Sequence, residues 1–170
     1  VMPSGRILYT RWEYVDRSQV SFHHLWTMNP DGTNQAIFFG NIKPRVVMID
    51  AKPIPGTRKV LSIFSPGHGR REHTGAVTVV DPTAGPHARG LARQVSKKPW
   101  YRDPYPLSED LYLVARGSEL MLMDREGRIQ TIHGLPQKQK SEGYWLHEPR
   151  PLRGRPREPV MPHRVDTSEK

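Results

Sequence analysis

Cysteine is missing from this chain altogether. No disulfide, thiolate metal site, cysteine nucleophile or covalent c-type haem attachment can therefore lie within it. The lack does not identify a compartment, since many exported proteins also do without cysteine. Long apolar runs are missing too. No window approaches the roughly 20 apolar residues of a membrane-spanning helix, and no basic start leads into the apolar stretch of a signal peptide. The first residues, Val1-Met2-Pro3, read as the start of a segment cut from a longer protein, with any targeting signal outside it. Aromatic residues, at 8%, and hydrophobic residues, at 35%, are lean for a compact globule.

Acidic residues are scarce: 17 Asp and Glu stand against 26 Lys and Arg, a formal charge of +9. Such a balance steers acidic partners or surfaces toward the protein. The excess concentrates in residues 57–98, with Arg58, Lys59, Arg70, Arg71, Arg89, Arg93, Lys97 and Lys98 against Glu72 and Asp81. No nucleic-acid motif accompanies it. These charges read as solvated loop residues or as a face toward an acidic neighbour. Nucleic acid is not the expected partner, and a polyanion-binding module stands as an alternative only.

What the chain does have is punctuation, with 17 Pro and 14 Gly dividing it into many short segments. Two signals recur in phase. Pro53-Ile54-Pro55, Pro104-Tyr105-Pro106 and Pro149-Arg150-Pro151 are spaced by 51 and 45 residues. An apolar run ending in an acidic or amide turn appears as Leu25-Trp26-Thr27-Met28-Asn29-Pro30-Asp31-Gly32. It returns as Val77-Thr78-Val79-Val80-Asp81 and as Leu120-Met121-Leu122-Met123-Asp124-Arg125-Glu126-Gly127, giving spacings of 52 and 43 from Asn29 to Asp81 to Asp124. In each unit a first strand precedes this run (residues 6–10, 59–64 and 110–114), and a third strand follows the turn, as at 35–39 and 128–132. β-Branched and aromatic residues flank turns built on Asp, Pro and Gly, which is the pattern of antiparallel hairpins. Pro-x-Pro marks the connection into a strand, because proline has no N–H for the interior of a sheet.

Repeats of this length holding three or four antiparallel strands have the period of propeller blades. The expected fold is all-β: a partial β-propeller of about three antiparallel blades, part of a larger ring. The blades fall at about 1–42, 50–98 and 103–148, and a Pro/Arg-rich strap or linker occupies 149–170. Residues 43–48 read as a short apolar link and 86–99 as a basic loop or single helical turn. A β-sandwich is the competing architecture.

The run from Leu25 to Asn34 resembles the repeat of TolB-like (WD40-like, PD40) propellers. Tyr9-Thr10-Arg11-Trp12-Glu13-Tyr14-Val15-Asp16, His23-His24-Leu25-Trp26, Asp103-Pro104-Tyr105-Pro106-Leu107-Ser108-Glu109-Asp110 and the strap from Pro149 to Pro162 together resemble the middle domain of hydrazine synthase alpha subunits and their relatives. That resemblance implies a propeller scaffold among haem-carrying domains in a periplasmic or otherwise exported protein. It implies no haem on this segment, which lacks Cys-x-x-Cys-His, and family likeness speaks to fold before reaction.

Four histidines are the metal-ligating candidates: His23, His24, His68 and His73, with Glu72 beside the second pair. Adjacent strand residues point to opposite faces, so one histidine of each pair would have to meet across neighbouring units to hold zinc. The default is a structural or surface role. Trp12, Tyr14, Trp26, Trp100, Tyr101, Tyr144 and Trp145 read as blade packing or, less simply, as the lining of a ligand groove. Asp31, Asp81 and Asp124 read as turn formers. No G-x-S-x-G, P-loop or G-x-G-x-x-G is present. No catalytic or cofactor-binding residue is expected, and none of the chain's own cofactors; haem or zinc would belong to the parent protein. The expected function is a scaffold and interaction module whose partners are neighbouring domains or subunits. The alternative is a contribution to a metal- or haem-dependent oxidoreductase site shared with those domains.

Overall fold

The computed structural model describes residues 1–17, 22–40, 46–67, 74–165 and 168. The fold is all-β, with two sheets that do not close into a barrel. β1 (Ile7–Trp12), β2 (Phe22–Met28) and β3 (Ala36–Phe39) form a first antiparallel meander. β4 (Val46–Pro53), β5 (Val60–Ser65), β6 (Ala76–Val80) and β7 (Ala92–Gln94) form a second. β8 (Arg102–Pro106), β9 (Leu111–Arg116), β10 (Glu119–Asp124) and β11 (Ile129–Gly134) form a third. A short helix α1 (Gln137–Ser141) and an extended tail follow.

The meanders repeat one register. Ile7, Val60 and Tyr112 each face the last apolar residue of the next strand, Met28, Val80 and Met123. The turns at Asn29, Asp81 and Asp124 come directly after, so the spacing of these three residues in the sequence marks true structural equivalents. Side-chain oxygens hold the turns. Thr33 N–H donates to Asp31 (3.0 Å), Thr83 N–H to Asp81 (2.9 Å), and the N–H groups of Glu126 and Arg128 to Asp124 (3.0 and 2.9 Å). These are the local bonds that let Asp reverse a chain. Gly127 is needed for a further reason: its φ is +78°, and a Cβ there would lie 2.3 Å from the Val95 carbonyl oxygen.

The Pro-x-Pro steps occupy a different place from the one expected. Residues 46–53 and 102–106 are themselves strands, β4 and β8, lying ahead of the strands expected to open each unit. The supposed apolar link thus contributes to β4, which begins before the expected unit boundary near residue 50. Pro104 and Pro106 both sit inside β8, the edge strand of its sheet: Pro104 falls where the pairing slips between Arg102 and Tyr105, and Pro106 still faces Tyr112. Register also corrects the alignment: Pro53 faces Val60 and Pro106 faces Tyr112, so Pro53 corresponds to Pro106 rather than to Pro104. The basic stretch 86–99 holds a 3-10 turn, Arg89–Leu91, leading directly into β7.

Packing explains which strands are apolar throughout. Leu61, Ile63, Val77 and Val79 of the second meander meet Tyr112, Val114, Met121 and Met123 of the third. Val60 and Val80, on the opposite side of the same strands, meet Leu25, Phe39 and Met48. β5 and β6 therefore bury both faces, although a short parallel pairing of β2 with β4 joins the first two meanders into one seven-stranded sheet. β11, at the outer edge of the third meander, is exposed along its whole length.

Candidate functional site

β4 and β8 carry the same irregularity. In each, the pairing slips by one residue, between Ile49 and Lys52 and between Arg102 and Tyr105. Each bulge contains an aspartate in the left-handed region, Asp50 at φ 54° and Asp103 at φ 48°. That conformation disfavours most side chains and admits Asp or Asn more readily. The tail repeats the motif a third time: Glu148, at φ 47°, precedes Pro149 as Asp103 precedes Pro104. The backbone around it is docked as β8 is docked. Gly75 and Tyr101 exchange N–H···O bonds of 2.9 and 3.2 Å, and Leu146 N–H donates to the Gly117 carbonyl at 2.9 Å.

The three equivalent acidic residues converge. Single carboxylate oxygens of Asp50, Asp103 and Glu148 lie within 4.8 Å of one another. Bulges re-aim side chains, and here the aspartates of two bulges and Glu148 of the tail meet at one point. Basic groups surround that point. Glu148 Oε2 accepts from Arg150 at 2.7 Å and faces Lys52 Nζ at 3.8 Å; the Arg150 hydrogen bond, with Lys52 adding, holds its carboxyl below the usual range. Asp103 Oδ2 accepts from the Glu148 N–H (3.2 Å) and pairs with His147 Nδ1 (3.0 Å). Arg102 is 2% exposed. Its guanidinium stacks 4.0 Å from the centre of the Trp145 ring and approaches His147 Nε2 at 3.4 Å. Burial pushes the Arg102 pKa down, while Asp103 and Asp50 oppose the shift.

Three carboxylates this close are the oxygen donors a hard cation takes. Here Lys52, Arg102 and Arg150 balance them, so the arrangement is an ionic clasp between the second meander, the third and the tail.

The sequence candidates are distributed otherwise. His23 and His24 are both buried in β2, His23 stacked on Trp12 (5.2 Å) and His24 edge-on to Phe22 (5.4 Å). His68, His73 and Glu72 lie outside the described residues, and with them the expected pairing between units. Asp31, Asp81 and Asp124 are turn residues, as expected. Among the aromatics, Tyr101 is buried and Trp26 half-buried, whereas Trp12, Tyr14, Trp100, Tyr144 and Trp145 are about half exposed. All five stand at the end of the meanders where β1 stops and where β8 and the tail segment start. Much of the basic excess is engaged locally: Lys59 pairs with Glu109, Arg93 donates to the Arg125 carbonyl, and Lys98 lies over Trp100.

The acidic cluster escapes a search of the sequence for motifs, though a signal exists. An acidic residue three positions before a proline recurs at Asp50, Asp103 and Glu148, spaced by 53 and 45 residues. No protein-family profile, curated protein or solved structure matches the chain.

Proposed function

We propose that this chain is a set of β-propeller blades serving as a rigid scaffold and interaction surface, without catalysis of its own. The observation that carries the reading is the threefold repeat of one strand register, with inner strands β4 and β8 converging on a shared clasp. Blades packed face to face in this order are how a propeller presents one ring of loops. The half-exposed aromatics at one end of the meanders are the kind of side chain that anchors a partner. In this reading the partners are neighbouring domains or subunits of an exported protein, and the resemblance to the hydrazine synthase alpha middle domain makes haem domains the candidates. The chain's role is positional.

Cross-linking mass spectrometry on the protein expressed from its natural reading frame tests this. Lys97, Lys98, Lys138 and Lys140 flank the aromatic end. Cross-links from these lysines to another domain or subunit are expected. Cross-links confined to residues 1–170 would overturn the reading.

A further inference from the structure

The tail leaves the third meander and returns to the first. Arg153 donates to the Leu107 carbonyl at 3.4 Å, in the turn between β8 and β9. Arg164 N–H donates to Asp31 Oδ2 at 2.6 Å, in the turn between β2 and β3. Between these points the chain forms no helix, strand or turn. Pro156, Pro159 and Pro162 recur there at every third residue, the period of an extended polyproline-type helix. The side facing the meanders keeps that period: Glu158 and Met161 are the part-buried residues of the stretch, and Arg164 comes three further on. Proline fixes φ in advance, so the segment gives up little freedom when it docks.

The receiving surface has one address. Gly5 has φ +83°, and a Cβ there would lie 2.6 Å from the Pro159 carbonyl oxygen and 3.0 Å from Met161 Cγ. The tail thus rests on bare backbone just ahead of β1. Register identifies the counterparts of Gly5. Ile7, Val60 and Tyr112 are equivalent, so Arg58 and Asp110 hold its place in the other two meanders. A side chain at that place excludes the same approach. Asp31 divides its carboxylate between two tasks. Oδ1 accepts the Thr33 N–H and hydroxyl of its own turn (3.0 and 2.7 Å), and Oδ2 is left to take the tail.

We infer that residues 153–164 are an intramolecular strap with a dedicated seat on the first meander, and that its docking braces the first meander against the third. The two core clusters join first to second and second to third, and neither reaches from first to third. The strap makes that link directly. Its hold is light: among the described residues, one hydrogen bond near each end and the Met161 contact on Gly5, with no ladder between. Such a segment is released without opening either core, and belongs to the low-stability end of the molecule's motions. The device needs no neighbour, since all of these contacts are made by residues within the chain.

The test is limited trypsin digestion with hydrogen exchange, on the full 170-residue chain at neutral pH. Arg164→Pro removes the N–H that Asp31 accepts, and Met161→Asp unseats the side chain on Gly5; both positions lie on the tail, outside either core. The double variant should be cut after Arg153 and Arg157 about tenfold faster than the unaltered chain, the loss expected for a hydrogen bond and a small contact. Amides of β1 and of residues 29–34 should exchange faster in it as well, while those of β5, β6, β9 and β10 keep their rates. Arg164→Ala retains the N–H and should match the unaltered chain in both readouts. Unchanged cleavage in the double variant would show that the strap has no seat. Faster cleavage with unchanged exchange in β1 and residues 29–34 would show a seat that braces nothing. Faster exchange in β9 and β10 as well, or an Arg164→Ala chain that behaves like the double variant, would equally overturn the inference.

Discussion

Replacing Asp103 by Asn isolates the charge of the clasp. Asn keeps the size of the side chain and its tolerance of the left-handed backbone found there, so the change removes a charge without forcing the bulge open. What remains is a guanidinium, Arg102, that is 2% exposed and has lost one of the two carboxylates opposing the cost of its burial. Taking one partner from a buried pair costs about 3–5 kcal/mol. Asp50 stays nearby, and His147 is half exposed, so about 2–3 kcal/mol is expected within that logic. For a chain of this size that is a fall in Tm of roughly 4–12 °C, measurable by thermal or urea unfolding. Arg102→Met in the Asp103→Asn background should recover part of the loss, because the stranded charge is then gone. Asp110→Asn is the control: its carboxylate pairs with Arg125 at 3.1 Å on the open surface, and no measurable change is expected. Equal effects of Asp103→Asn and Asp110→Asn, or no recovery in the double variant, would refute the clasp.

Three further outcomes follow from the geometry. Ile63→Ala, at a fully buried position between the second and third meanders, should cost about 2–5 kcal/mol in urea unfolding; a loss under 1 kcal/mol would mean that this interface is not packed. Gly75→Ala would set a Cβ 2.4 Å from the Phe64 carbonyl oxygen, so it should break the Gly75–Tyr101 bridge and speed exchange of the Tyr101 amide, whereas Gly67→Ala meets open space and should be silent. Asp31 is held at about 2 by N–H donation from Arg164 and by Thr33, against 3.8 ordinarily. A lowered carboxylate pKa stabilises above the unfolded value and loses that effect as pH falls through the folded one. The tail's latch on the turn between β2 and β3 should therefore release between about pH 4 and pH 2, read by pepsin cleavage around residue 164, and Asp31→Asn should release it at pH 7.

Some of this protein is legible in the sequence because its causes are local. Asn29, Asp81 and Asp124 mark equivalent turns, since an aspartate bonding nearby backbone, Asp31 in the first turn and Asp81 and Asp124 in the others, needs only the next few residues. Val77-Thr78-Val79-Val80 announces a strand buried on both faces, since a run without polar alternation cannot face water. Other features depend on neighbours the sequence does not place. Pro104-Tyr105-Pro106 excludes a central strand, and only the sheet order shows that an edge strand accepts both prolines. The Pro-x-Pro spacing misaligns the repeats by two residues, because Pro53 holds the place of Pro106 while the place of Pro104 is held by Ala51. The acidic cluster is the clearest case. Each of its three members is, along the chain, one charged residue shortly before a proline. What makes them a site is the packing of β4, β8 and the tail side by side, which brings their carboxylate oxygens within 4.8 Å and surrounds them with Arg102, Lys52 and Arg150. Charge proximity across 53 and 45 residues is a property of tertiary structure, since only the fold sets those distances.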